Sequence, residues 1–315
     1  MPLRVAVQMD PIESIGIAGD SSFALMLAAQ ARAHSVWHYD VRSLTWENCR
    51  ITAWARPLHV RRVEGDHFEW QGEAQRIDLA KDIDVVLMRQ DPPFHLGYIS
   101  AAMLLDRLKG ETLVVNDPHW VINSPEKMFV LDFARFMPPT LVTRNIADVR
   151  PFLEQHGAVV VKPLHGNGGK AIFKIGADGT NLSALFEVFN QTWPEPHMVQ
   201  PFLPEVSEGD KRIVLVDGVV TGAINRKPGK GEFRSNLAQG GYAEKAELTA
   251  REEEICAAMG PELKKRGLIF VGIDVIGGKW LTEINVTSPT GIVAIDAFNG
   301  TDTAALIWDA IEARL

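Results

Sequence analysis

Three residues near the C-terminus carry the strongest chemical signal in the sequence. In GIDVIGGKWLTEINVTSPTG, Asp274 interrupts one apolar, strand-like run, and Glu283 and Asn285 interrupt the next. Glu283 and Asn285 are two apart and therefore share a strand face. A two-residue turn at Gly277-Gly278 sets Asp274 opposite Leu281, and a turn at Gly278-Lys279 sets it opposite Glu283; both put all three side chains on one face. A three-residue loop would reverse that parity. Carboxylates facing each other at about 5–8 Å repel unless a cation joins them. Two anionic oxygens and an amide carbonyl suit Mg²⁺ or Mn²⁺ holding the phosphates of a nucleotide. The alternative is a solvated polar face on an edge hairpin, against which stand Asn285 and the adjoining Thr287-Ser288-Pro289-Thr290-Gly291.

A second signal lies in VVVKPLHGNGGKAIFKI, where Gly166, Gly168 and Gly169 separate two β-type runs and Lys162 ends the first. Residues without a β-carbon let backbone amides approach an anion, and a lysine adds a point charge, so the segment reads as a loop over phosphate. The GxGxxA match within it is not a dinucleotide fingerprint, because that motif opens a helix and residues 172–175 read as a strand. Nor is it a Walker A loop, since Ala171 stands where Ser or Thr would follow the lysine. A glycine-rich hairpin without a ligand is the other reading. Lys211, Arg212, Arg226, Lys227 and Arg234 are further cations, which either meet an anionic substrate or are solvated surface charges. No HExxH or GxSxG motif occurs, and the nine His residues read as structural.

These groups need a frame of strands and helices. Residues 3–9, 85–88 and 112–116 read as buried strands. They are interleaved with a helix over 21–34, capped by Asp20, and another over 99–109, which makes an α/β unit with a mainly parallel sheet. Residues 44–80 resist assignment. Ser124 as cap and Pro125 at the first helical position predict a helix over 126–136, stopped by Pro138-Pro139. An α+β module follows, with strands at 141–143, 158–162, 171–175 and 198–202 and helices at 147–156 and 182–190. Next come a hairpin about Asp217-Gly218, a helix from the capping box Thr249/Glu252 to Gly267, strands at 269–276 and 280–286, and a helix over 301–314. The expected domains are 1–123, 124–201 and 202–315.

With 46% hydrophobic and 23% charged residues the 315-residue chain has the composition of a folded globular protein of more than one domain. A net charge of −8 argues against nucleic-acid binding, where clustered Lys and Arg displace counterions. The absence of any apolar run near the roughly 20 residues of a membrane span, and of a basic leader, predicts a cytoplasmic protein without membrane contact. Cys49 and Cys256 stand alone, so neither a disulfide framework nor a thiolate metal site is expected.

The pieces MDPI (9–12), DSSF (20–23), DPPF (91–94), LVTRN (141–145), GDKR (209–212) and GLIFVGIDVIG with LTEINVTSP (267–289) resemble the prokaryotic-type glutathione synthetases of the ATP-grasp superfamily, over nearly the whole chain. The resemblance implies an N-terminal α/β substrate domain followed by a two-subdomain ATP-grasp fold. It also implies ATP with two Mg²⁺ or Mn²⁺ ions, bridged by Glu283, the substrates γ-glutamylcysteine and glycine, an acyl phosphate intermediate and a homotetramer. Carried onto this sequence, Lys127, Lys162, Gly166, Asn167, Gly168, Gly169 and Arg212 contact ATP phosphates or their loop, and Gln200, Pro201, Phe202 and Leu203 form the hinge beside adenine. Asp274, Glu283 and Asn285 hold metal, and Arg226 stabilises the phosphoryl and tetrahedral species. Asp20, Ser21, Arg234, Asn236 and Ser288 contact substrate. The loop HGNGGKAIF departs from the family pattern at Asn167 and Lys170. It is expected to close over the nucleotide and exclude water from the acyl phosphate.

Overall fold

The computed structural model describes residues 1–229, 231, 234–235 and 240–315. Its first sheet contains β1 (Arg4–Gln8), β2 (Ser35–Tyr39), β3 (Thr45–Glu47), β4 (Arg50–Val60), β5 (Phe68–Trp70), β6 (Gln75–Asp78), β7 (Val85–Met88) and β8 (Leu113–Val115). β2, β1, β7 and β8 run parallel, as the buried Val-rich runs predict. Residues 44–80 form an antiparallel extension in which β4 pairs with β2, β3, β5 and β6. That region resisted assignment because β4 serves several partners and its burial does not alternate cleanly.

Helix α1 (Ser21–Ala31) is capped by Asp20, whose Oδ1 accepts from Phe23 N, and ends three residues short of the expected 34 because Ala33 takes a left-handed conformation. Helix α2 (Leu96–Leu105) starts earlier than expected and tightens into a 3₁₀ turn at Asp106–Leu108. A short helix, α3 (Pro118–Asn123), was not anticipated. It is capped by the Asp117 side chain on Trp120 N. Ser124 does not cap the next helix: Pro125 occupies that position, and the Ser124 hydroxyl is buried without a partner. The expected helix over 126–136 is a single α turn, α4 (Glu126–Phe129), followed by 3₁₀ structure at Val130–Phe136 with a kink at Phe133.

The second sheet has the order β11-β10-β12-β9, from β9 (Leu141–Thr143), β10 (Val159–Pro163), β11 (Phe173–Ile175) and β12 (His197–Pro201), packed on α5 (Ile146–His156) and α6 (Leu182–Thr192). The third has the order β15-β14-β13-β16-β17. Its strands are β13 (Asp210–Val216), β14 (Val219–Lys227), β15 (Tyr242–Lys245), β16 (Phe270–Ile276) and β17 (Trp280–Asn285). One face of this sheet, with Ile213, Leu215, Ile273, Val275, Leu281 and Ile284, is sealed by Ile255, Met259 and Leu263 of α7 (Ala250–Lys265), whose capping box is formed as expected. Helices α8 (Ile292–Asn299) and α9 (Thr303–Glu312) complete the chain.

The first and third sheets are joined at Asn116. Its Nδ2 donates to the carbonyls of Phe270 and Val286, both at 2.8 Å, and its Oδ1 accepts from Phe270 N at 2.9 Å.

Candidate active site

The open face of the third sheet carries a polar stripe set by strand register. Arg226 lies opposite Asp210, and Arg212 opposite both Ile224 and Asp274. Asp274 in turn lies opposite Glu283, and Gly272 opposite Asn285. Directly paired residues point to the same side of a sheet, so cations and carboxylates from four strands share one face.

The β16–β17 hairpin reaches this arrangement by a route the sequence did not reveal. Its loop is the three-residue Gly277–Lys279, pairing Ile276 with Trp280 and Val275 with Leu281. A bulge at Thr282 then restores the pairing of Asp274 with Glu283. Leu281 is thereby fully buried in the core while two consecutive residues, Thr282 and Glu283, line the cleft, which plain alternation forbids.

Asp274 is gripped by Arg212, with Nε at 2.6 Å and Nη2 at 3.1 Å from its carboxylate oxygens, and lies 3.0 Å from Arg226 Nη2. Burial opposes ionisation of this carboxyl, but the two guanidiniums overcome it and hold its pKa well below the usual carboxylate range. Asp210, 2.7 Å from Arg226, shifts the other way: burial raises its pKa, and the charge of Asp274 adds to the effect. Arg212 lies flat over Gly272, where a β-carbon would come within 3.1 Å of Arg212 Cδ. Lys127 Nζ sits 3.3 Å from Glu283 and donates to the Gly166 carbonyl at 2.7 Å. Lys162 donates to Gln200 Oε1 at 3.0 Å, and burial lowers its pKa.

Two cavities meet at Glu283. The first lies between the second and third sheets. Val160, Ile172, Phe202, Leu203, Val206 and Ile276 form an apolar slot that ends at Lys162, Asp210, Arg234, Thr282 and Glu283. Gly169, Gln200, Pro201 and Asp274 also line it. The second is bounded by Asp91 and Pro92 of the first sheet's loop, Asn167 and Gly168, Arg212, Arg226, Asn285 and residues 287–291. A planar base fits the slot, an anion its polar end, and a carboxylate the arginine-lined second cavity.

The expected residues therefore converge, with some redistribution. Lys162, Gly169, Gln200, Pro201, Phe202 and Leu203 line the first cavity. Asn167, Gly168 and Arg212 line the second, although they were assigned to nucleotide phosphate. Arg226 and Ser288 line it too. Arg234 reaches the Gly169 carbonyl at 3.4 Å. Asp20 and Ser21 line neither cavity: Asp20 is a helix cap, and Ser21 is buried with its hydroxyl unpartnered. Asn236 lies outside the described residues. Lys211 pairs with Glu252 and Lys227 with Glu244, so neither belongs to the site.

Five groups were not singled out beforehand. They are Asp91, Asp210, Thr282, Glu126 and Arg89. Burial pushes the Glu126 carboxyl up to about 7, with Lys127 opposing and Glu283 adding; its Oε1 accepts from Thr287 Oγ1 at 3.0 Å. Arg89 is buried and donates to Ser22 Oγ and to the Pro289 carbonyl, both at 2.9 Å. Asp91 opens the DPPF run already noted and Arg89 stands two residues before it, and a charged pair at the end of an apolar strand was their available signal.

Asp274, Glu283 and Asn285 fit a hard divalent cation: all present oxygen, on one face, beside a cleft with room for phosphate. Among the described residues no group of three or more His, Cys, Asp or Glu side chains is placed to hold a metal ion, and the set here is two carboxylates and one amide.

Residues 3–121 match the family model for the prokaryotic glutathione synthetase N-terminal domain, and residues 126–300 that for the prokaryotic glutathione synthetase ATP-grasp domain. The chain belongs to the prokaryotic glutathione synthetases. It is 53% identical over 314 residues to glutathione synthetase of Rhodopseudomonas palustris, covering 100% of this chain and 99% of that one. To that of Shewanella oneidensis it is 44% identical over 315 residues, covering 99% of each. In fold it is similar to D-cycloserine synthetase DcsG, with a TM-score of 0.70 at 17% identity over 98% of this chain and 99% of that one. It is also similar to the ATP-grasp ligase PsnB, with a TM-score of 0.64 at 18% identity over all of both chains. The protein is an ATP-dependent ligase of ATP-grasp fold whose family uses a divalent metal. No described helix is long and apolar enough to cross a membrane.

Proposed function

We propose that the two cavities bind ATP and γ-glutamylcysteine end to end and that Glu283, common to both, marks the point of phosphoryl transfer. Adenine occupies the slot of Val160, Phe202 and Ile276, with the β- and γ-phosphates toward Lys162 and Lys127. The cysteinyl carboxylate enters from the second cavity and takes the γ-phosphoryl group, releasing ADP. The amine of glycine then attacks the acyl phosphate, a C–N bond forms, the C–O bond to phosphate breaks, and glutathione and phosphate leave.

Arg226, with Arg212 behind it, faces the carbon where negative charge develops, and a preformed guanidinium in a dry site is worth several kcal/mol there. Asp274, Glu283 and Asn285 would hold Mg²⁺, at up to two positions, supplying positive charge against the phosphates. Ser288 meets the dipeptide, and Arg89 braces that wall through the Pro289 carbonyl. Division at 1–123, 124–201 and 202–315, a homotetramer and a cytoplasmic location complete the reading. The division and the location rest on the sequence pattern and the tetramer on the family resemblance; limited proteolysis, cell fractionation and light scattering test them.

The observation that carries the assignment is the position of Glu283 between an apolar, lysine-ended slot and an arginine-lined pocket. ADP release should require γ-glutamylcysteine and glycine together, and Glu283→Gln should abolish it while ATP still binds. Release with either substrate omitted, or a fully active variant, would overturn it.

A further inference from the structure

The loop that carries Gly166 to Gly169 is docked against the first sheet's domain beside His165. The His165 ring stacks on Phe94, with centroids 5.5 Å apart and an interplanar angle of 37°, and Phe94 stacks on Tyr98 at 5.4 Å. Leu164 beside it is buried in the same apolar cluster as Phe94 and Tyr98. His165 Nδ1 is buried without a hydrogen-bond partner. The imidazole meets Phe94 as an aromatic plate. Phe94 closes the segment whose Asp91 and Pro92 line the second cavity, and the loop contributes Gly169 to the first cavity and Asn167 and Gly168 to the second. The stack thus joins the wall of one cavity to the cover of both.

We propose that His165 is a positioning residue that couples occupancy of the dipeptide pocket to closure of the glycine loop over ATP, through its stack on Phe94. Dipeptide held against Asp91 and Pro92 steadies Phe94, the steadied ring retains His165, and the retained loop holds the nucleotide. By linkage the coupling is reciprocal.

Burial at the stack favours the neutral ring. The charged groups acting on His165 are Lys127 of α4, whose ammonium repels an imidazolium, and Glu195 before β12, which favours one; the first sheet's domain presents the Phe94 and Tyr98 rings. Burial is the largest influence and lowers the His165 pKa, so closure is full above the ordinary histidine value of about 6.5 and weakens as pH falls below it.

This inference rests on the assignment of the two cavities given above. The test is the affinity of full-length protein for a non-hydrolysable ATP analogue with Mg²⁺, measured by calorimetry with and without saturating γ-glutamylcysteine, at pH 8 and pH 6. Wild type should bind the analogue about five-fold or more tightly with dipeptide at pH 8 and lose most of that factor at pH 6. His165→Ala should bring the factor near one at both pH values. His165→Phe, which keeps a plate and cannot titrate, should retain the factor at both, and Phe94→Leu should behave as His165→Ala. Equal factors in wild type and His165→Ala, or a His165→Phe factor that still falls at pH 6, refute the coupling role while leaving the cavity assignment intact. Failure of wild type to bind γ-glutamylcysteine at all refutes both.

Discussion

Replacing Asp274 by Asn tests whether the ligand-free site is held together by its own ion pairs. The carboxylate meets Arg212 at 2.6 and 3.1 Å and Arg226 at 3.0 Å, and all three side chains are buried. Asparagine keeps the shape and one acceptor but removes the charge and turns an NH₂ group toward two guanidiniums. Arg226 retains Asp210 at 2.7 Å, whereas Arg212 keeps the Thr290 carbonyl at 3.2 Å. Removing one partner of a buried pair costs about 3–5 kcal/mol. The surviving Arg226–Asp210 contact puts the expectation at the lower end, about 3 kcal/mol. Urea unfolding of the metal-free protein near pH 7.5 measures it. The sign with pH follows from the depressed pKa: the stabilisation is complete above the ordinary carboxylate value near 4 and is lost as pH falls toward the folded value. The gap between wild type and variant should therefore narrow below about pH 4. A neutral-pH loss under about 1 kcal/mol, or a gap constant down to pH 3, refutes the reasoning.

Three further perturbations probe neighbouring parts. Gly272→Ala introduces a β-carbon 3.1 Å from Arg212 Cδ and 3.2 Å from its Nη1, so Arg212 must shift; kcat should fall about ten-fold or more with KM for ATP little changed, read by steady-state ADP release. Asn116→Ala leaves the Phe270 amide and the Phe270 and Val286 carbonyls short of partners between the first and third sheets, which should cost about 2–4 kcal/mol in urea unfolding with activity at low denaturant preserved. Glu126, raised to about 7, makes the folded protein bind more protons than the unfolded chain between about pH 4.5 and 7, so its contribution falls as pH rises. Metal-free Glu126→Gln should therefore be more stable than wild type at pH 8 and equal to it near pH 4.

What was legible in the sequence was what local chemistry determines. The Asp217-Gly218 turn, with both residues at positive φ, the Thr249/Glu252 capping box and the parallel strands of the first sheet are fixed by a few adjacent residues and appear as read. The grouping of Asp274, Glu283 and Asn285 was also legible, but its mechanism was not. Two departures from the expected hairpin, an odd loop and a bulge, cancel, and neither has a local marker beyond the glycines. Ser124 failed as a cap because α3 ends on it and Pro125 takes the position. Asp91, Asp210 and Glu126 were missed because their roles come from register and from packing between sheets distant in sequence.

The basic side chains on the polar stripe have a consequence for how the protein is handled. Arg212, Arg226 and Lys127 stand against Asp274 and Glu283 as built-in counter-ions, so the interior charge is balanced without metal. Folding is then uncoupled from metal supply, in contrast to domains whose ligands repel one another until an ion arrives. Purification in chelator should leave the protein folded, and a cell short of divalent metal would lose turnover while keeping its pool of folded enzyme.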